Sequence, residues 1–203
     1  MKTLTTTAAL ASAALLTLAG CGASPAASTP SGSDAPDLSG HWKSACTKTS
    51  DAQAISLDFK LSKADWALDY VTYGDTSCST PFVTVHIEGP YALAGRSASI
   101  ADAWNARFGF TKKAVIAHAD AAATFLTNAC GGGTFRVGEA TDISTTGCAG
   151  LGQRPIATCA ADYDLVNLDG TSLRFGDRPK DNDMCTEAKR PGALSALAVT
   201  RVD

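Results

Sequence analysis

"ISLDFKLSKADWALDYVTY", residues 55–73, decides the fold class. Ile55, Leu57, Phe59 and Leu61 occupy alternate positions, the turn-like "SKAD" follows, and Trp66, Leu68 and Tyr70 resume the alternation. A period of two is that of a strand with one buried face, since successive side chains of a strand point to opposite sides; an amphipathic helix would repeat near 3.6. The two runs therefore predict an antiparallel hairpin.

The same period continues downstream. "PFVTVHIEGPYALAG", residues 81–95, alternates Val83, Val85 and Ile87 against Phe82, Thr84, His86 and Glu88. Gly89-Pro90 then predicts a bend or bulge before Tyr91 and Leu93. "WNARFGFTKKAVI", residues 104–116, puts Trp104, Phe108 and Phe110 on one side. "HADAAATFLTNACGGG" breaks the pattern: it is alanine-rich, carries Asp120 near its start and ends in glycines, which predicts a short helix over about 119–129 with Phe125 and Leu126 on one patch. Strands resume at "TFRVGEATDI" (134–143), and a Gly/Cys-rich loop covers 144–160. In "DYDLVNLDGTSLRFGD" (162–177), Asp169-Gly170 is the strongest hairpin signal of the chain, and "ALSALAVTRV" is the last strand.

About eight to ten mostly antiparallel strands and one helix, in a chain that has to dispose of its sheet edges, predict a closed β-barrel or strongly curved sheet. Such barrels commonly hold an apolar ligand. Candidate lining residues come from the aromatic-bearing faces: Trp66, Leu68 and Tyr70; Val85, Ile87 and Tyr91; Trp104, Phe108 and Phe110.

The ends place the chain in a compartment. Lys2, the short apolar run "AALASAALLTLA" and small residues after it read as an export signal over residues 1–20, too short to span a bilayer. It closes in "LAGC", Leu18 to Cys21, which resembles the lipobox of bacterial lipoproteins; the resemblance implies a lipidated Cys21 as mature N-terminus, and Gly22 after it favours the outer membrane. Residues 21–36 are rich in Ser, Ala, Pro and Gly and read as a flexible tether, leaving 37–203 as one domain. With 17 basic against 20 acidic residues the chain has no basic footprint for nucleic acid.

Of seven cysteines, Cys21 is set aside. Cys46, Cys78, Cys130, Cys148, Cys159 and Cys185 remain, an even set that in an exported chain predicts three disulfides. Fifteen pairings are open to six cysteines, and a short 148–159 loop is sterically plausible. The opening stretch "DLSGHWKSAC" (37–46) therefore reads as architecture, with Cys46 half of a bridge. His41, His86 and His118 show no ligand spacing and predict no metal site. No nucleophile elbow or phosphate loop occurs, and Asp164 in "DYDLV" is expected as an edge carboxylate capping a loop. The expectation is a non-enzymatic protein without cofactor.

Several separated motifs, "GHWKSAC", "YGDTSCSTPFVTVHIEGPY", "FLTNACG", "FRVGEATDI", "GCAGLG", "CAADYDLV", "LRFGD" and "RPGALSALAVTR", together resemble the extracellular domain of the adenomatosis polyposis coli down-regulated proteins, membrane-tethered Wnt antagonists of animals. The similarity spans residues 38–202. It implies a barrel-like domain whose apolar pocket takes up an acyl chain. The animal proteins resemble two such domains in tandem with a transmembrane helix, whereas this chain has one domain and a lipobox, so the ligand class carries over and the Wnt partner does not. A lesser likeness to lipocalins lies in Gly40-x-Trp42 and the late Arg201, which in that fold set an arginine against an indole at the barrel floor. The resulting expectation is a lipid-anchored protein of the bacterial cell envelope that binds an acyl or similar apolar ligand. The alternative is a solid barrel that acts on an envelope protein partner through the loop at 144–160.

Overall fold

The computed structural model describes residues 34–202; the export signal, Cys21 and most of the tether lie outside them. The elements run β1 (Gly40–Ser44), β2 (Thr47–Lys48), β3 (Ala54–Leu61), β4 (Asp65–Tyr73), β5 (Pro81–Arg96), β6 (Trp104–Gly109), β7 (Lys112–Ala117), α1 (Asp120–Ala129), β8 (Ala140–Asp142), β9 (Ala161–Asp169), β10 (Ser172–Gly176) and β11 (Leu194–Arg201). β3 and β4 are the hairpin read from residues 55–73, with Leu57 opposite Tyr70 and Phe59 opposite Leu68.

Eight strands close a ring in which every neighbour is antiparallel: β3, β1, β11, β10, β9, β6, β5 and β4, which returns to β3. Closure removes the unpaired edges that an open sheet would expose. The β9–β10 turn is Gly170-Thr171, with Gly170 at φ +58° in the first central position, where a side chain would be strained.

β5 is the organising strand. β4 runs along one side of it through Pro90. On the other side β7 pairs with residues 83–88 and β6 with residues 91–96, so β6 and β7 are two halves of one path. The expected bend at Gly89-Pro90 is a change of partner instead. A Cβ on Gly89 would lie 2.2 Å from the Gly109 carbonyl oxygen, so only glycine admits this crossing. The register shift lies further along, between Leu93 and Arg96, where Gly95 takes φ +104°.

Because β6 pairs with β9 while β7 pairs with β8, the path splays out of the ring at Phe110-Thr111. Loops at 144–160 and 177–193 occupy the wedge. Cys130–Cys148 ties the first loop to the end of α1, Cys159–Cys185 ties the two loops together, and Cys46–Cys78 joins the β1–β2 connection to the β4–β5 loop. The 148–159 pairing is not formed: Cys148 leads into the turn of residues 149–151 that packs against α1, while Cys159 leads into β9. Arg190 holds the second loop to the barrel wall by donating to the carbonyls of Ala106 and Asp164, paired residues of β6 and β9.

α1 begins at Asp120, whose carboxylate suits the positive end of the helix, and ends before three glycines of positive φ. Ala122 and Leu126, four residues apart, are its buried stripe. Phe125 turns out on the other side, 38% exposed against Phe82, so it does not share Leu126's patch. The strand expected at 134–143 shrinks to β8, because Gly138 at φ +79° and an exposed Val137 interrupt it.

The ends of the barrel differ. At the end holding the start of β1 and the end of β11, Leu38, Trp42, Val166, Leu173 and Val199 are fully buried and fill the interior. Trp42 donates its Nε1 proton to the Leu38 carbonyl at 2.9 Å, and the Arg201 guanidinium carbon stands 4.3 Å from the indole centroid. Arg201 is itself held by the Ser39 carbonyl, 2.7 Å away. No helix of the described residues is long and apolar enough to cross a membrane.

Candidate functional site

The other half of the barrel is hollow. A cavity of about 600 Å³ occupies it, within the ~300–1,000 Å³ range of small-molecule pockets. Its apolar wall follows the strand alternation: Leu57 and Phe59 from β3, Trp66, Leu68 and Tyr70 from β4, Val85 and Ile87 from β5. Phe108 of β6 and Phe110 just past its end continue it, and Phe175 and Leu197 complete the ring. Leu57, Leu68, Tyr70 and Leu197 line the interior yet remain half-buried, since the surface they show is cavity wall.

Aromatic contacts make this wall rigid. Phe59 stacks on Phe175 at 4.4 Å between centroids, and Trp66 meets Phe108 edge-on at 5.1 Å. Such pairs contribute about 0.5–1.5 kcal/mol each beyond their area. Trp66 also donates to the Gly109 carbonyl at 2.9 Å, so its orientation is fixed at the splay point. Burial raises the Tyr70 phenol above its ordinary pKa.

Seven of the nine residues expected to line a pocket do so; Tyr91 and Trp104 do not. Alternation places Trp104 on the same face as Phe108, but four residues of strand separate them by about 13 Å along the chain. Trp104 thus sits in the filled half with Arg96 over its ring at 5.0 Å. Tyr91 stacks on Phe108 at 5.8 Å and gives its hydroxyl proton to the Ser62 carbonyl at the β3–β4 turn.

One side of the cavity is polar. Asp162 and Asp164 of β9 face it from the barrel and Lys113 from the splayed strand β7, and the wedge loops add Arg154, Arg178 and Lys180. The chamber reaches solvent at the exposed Arg178 and Lys180. Arg178 pairs with Asp162 at 2.5 Å and with Asn182 at 2.6 Å. Lys113 is 3% exposed, donates to the Arg154 carbonyl at 3.2 Å, and has its amine 3.9 Å from the Phe110 centroid. Desolvation lowers its pKa. Asp164 is buried within β9 and is no edge carboxylate. Its Oδ1 accepts the Leu165 and Gly176 amide protons at 2.7 and 2.9 Å, closing the ladder where β10 shifts register against β11. Burial pushes its pKa up to about 6.

Sequence reading did not single out Lys113 or Asp162 for this wall, although the signal existed. Lys113 stands opposite Ile87 and Asp162 opposite Phe108, so both are in phase with inward residues. Arg178 and Lys180 belong to a loop, where no period applies.

The histidines lie away from the cavity. His41 shares Asp58 with Lys43, His86 bonds Asp69 at 2.6 Å, and His118 bonds the Thr84 hydroxyl at 2.8 Å. Among the described residues no cluster of three His, Cys, Asp or Glu side chains could hold a metal ion.

Fold and cavity together define a disulfide-braced, eight-stranded barrel that is plugged at one end and encloses an apolar chamber at the other. The family model Adenomatosis polyposis coli down-regulated 1 matches residues 26–140, more than half of the chain, and the protein belongs to that family, whose members are extracellular and membrane-associated. The matched segment carries five of the eight barrel strands; β9, β10 and β11 follow it. No curated protein matches the chain.

Proposed function

We propose that this protein binds an acyl chain or a similar apolar ligand inside the barrel and does so without catalysis, as a lipid-anchored component of a bacterial cell envelope. The observation that carries the reading is the apolar chamber of about 600 Å³ above a plugged floor. Burying an alkyl chain there gains about 25 cal/mol per Å² removed from water. The solid barrel acting through its loops accounts for the Trp42 end alone, and the loop at 144–160 forms part of the chamber's wall. A binding role is supported over an enzymatic one by the state of the buried carboxylates: Asp162 is held by Arg178 and Asp164 by two amides. The anchor rests on "LAGC" and Cys21 and the outer-membrane side on Gly22, all outside the described residues. Three disulfides suit an exported protein.

Native mass spectrometry of protein purified from its host tests both parts: the intact mass reads acylation of Cys21, and gentle ionisation reads a co-purified fatty acid or lipid. A ligand-free protein that also fails to take up a fluorescent fatty acid would sink the binding reading.

Leu68→Trp is expected to weaken that uptake. Leu68 lies between Phe59 and Ile87 and faces open space, so an indole there displaces about three methylenes of ligand, about 2.4 kcal/mol or about 50-fold in affinity. Fluorescence titration beside urea unfolding separates this effect from lost stability.

A further inference from the structure

We infer that the cavity selects a ligand with a free acid group, a single acyl chain ending in a carboxylate, and binds it with the carboxylate against Lys113 and beside Arg178. This rests on the acyl-chain reading and adds to it the chemistry of the ligand's head.

The charge of the lining is the first ground. Lys113, Arg154, Arg178 and Lys180 supply four cations against the two carboxylates of Asp162 and Asp164, a balance of +2 when all are ionised, in a chain whose formal net charge is −3. All six lie on the side built by β7, β9 and the wedge loops, while β3, β4 and the facing half of β5 contribute only uncharged side chains to the lining. The cavity is therefore amphipathic, with Arg154, Arg178 and Lys180 exposed on its charged side and Lys113 buried there.

Lys113 is the second ground. Ion pairs account for Asp162, paired with Arg178, and for Arg154, paired with Asp183. Lys113 has no carboxylate at ion-pair distance among the described residues. Its ammonium offers three donors and meets one carbonyl and one aromatic face. The carboxylate that acts on it from further away, Asp162, is already held by Arg178, and a buried cation whose nearby carboxylate is engaged by another cation gains from a further anion. The Phe110 ring under Lys113 is also part of the apolar wall, so an anion on the lysine places the attached chain directly in the hollow half. An ester or an amide-linked acyl group brings no negative charge and leaves Lys113 as it is.

The test compares palmitate, methyl palmitate and 1-hexadecanol for delipidated protein, by displacement of a fluorescent probe at fixed neutral pH and low salt. Palmitate is expected to bind roughly 10- to 100-fold tighter than the ester, the range of a charge-assisted hydrogen bond. In Lys113→Met the acid-to-ester ratio is expected to collapse toward one, and in Lys113→Arg to be retained, which separates lost charge from lost folding. Equal binding of acid and ester by the unaltered protein would overturn the inference and leave the acyl-chain reading standing. Binding of none of the three would overturn both. A ratio that survives Lys113→Met in folded protein would assign the acid to another group and refute the role of Lys113.

Discussion

Trp42→Ala is expected to lower the free energy of unfolding by about 3–5 kcal/mol, the range for removing a large buried aromatic side chain. Three losses converge. The indole is fully buried, so its removal leaves a void in the only half of the barrel that is filled among the described residues. Its N–H leaves the Leu38 carbonyl without that donor, and Arg201 loses the ring over which it lies, a contact of about 0.5–2 kcal/mol. Trp42 stands opposite both Phe59 and Arg201, so the void opens where β1 bridges β3 and β11. Domains commonly hold ~5–15 kcal/mol in total, which makes this a large fraction. Oxidised protein should still be measurable. The disulfides span 32, 18 and 26 residues, and by the loop-entropy account each restrains the unfolded chain by about 3–4 kcal/mol. Urea unfolding of Trp42→Ala, with Trp42→Phe as the variant that keeps a smaller aromatic ring and loses the N–H, gives the comparison. A loss below about 1 kcal/mol in Trp42→Ala would show that the floor repacks without it.

The barrel was legible because its signal is local. Period two at residues 55–61, 66–70 and 83–87 sets which side chains face in, and antiparallel closure adds no requirement that alternation does not already satisfy. What alternation omits is position along the barrel axis. Trp104 and Phe108 read alike in sequence, yet one packs the plug and the other lines the chamber, since strand stagger decides height and depends on partners distant in the chain. The cysteine pairing was illegible for the same reason: Cys148 and Cys159 are close in sequence, but the loop carries one under α1 and the other to the Met184–Cys185 segment. The polar wall was half legible. Lys113 and Asp162 stand at inward positions where an apolar residue is the norm, and that violation marks a site; Arg178 and Lys180 arrive on a loop whose path is set by Arg190 and a disulfide.

Asp164→Asn is expected to flatten stability against pH between about 4 and 7. The unfolded carboxyl titrates near 3.8, whereas burial in β9 raises the folded value to about 6, with Asp162 acting in the same direction and Arg178 and the two amide donors opposing. Between those values the folded protein binds more protons than the unfolded chain, so this group's contribution is fully present below pH 3.8 and is lost as pH rises through about 6. The difference of about two pKa units corresponds to about 3 kcal/mol. Asparagine keeps an oxygen for the Leu165 and Gly176 amides and cannot ionise. The stability of the unaltered protein relative to Asp164→Asn should therefore fall by about 2–2.5 kcal/mol from pH 4 to pH 7, the rest being lost below pH 4. Carboxylates elsewhere lose their own contributions in acid, but they do so in both proteins and cancel in the difference. Parallel unfolding curves across that window would mean that Asp164 ionises as freely in the barrel as in water, and that the polar wall is wet where the burial of this carboxylate says it is dry.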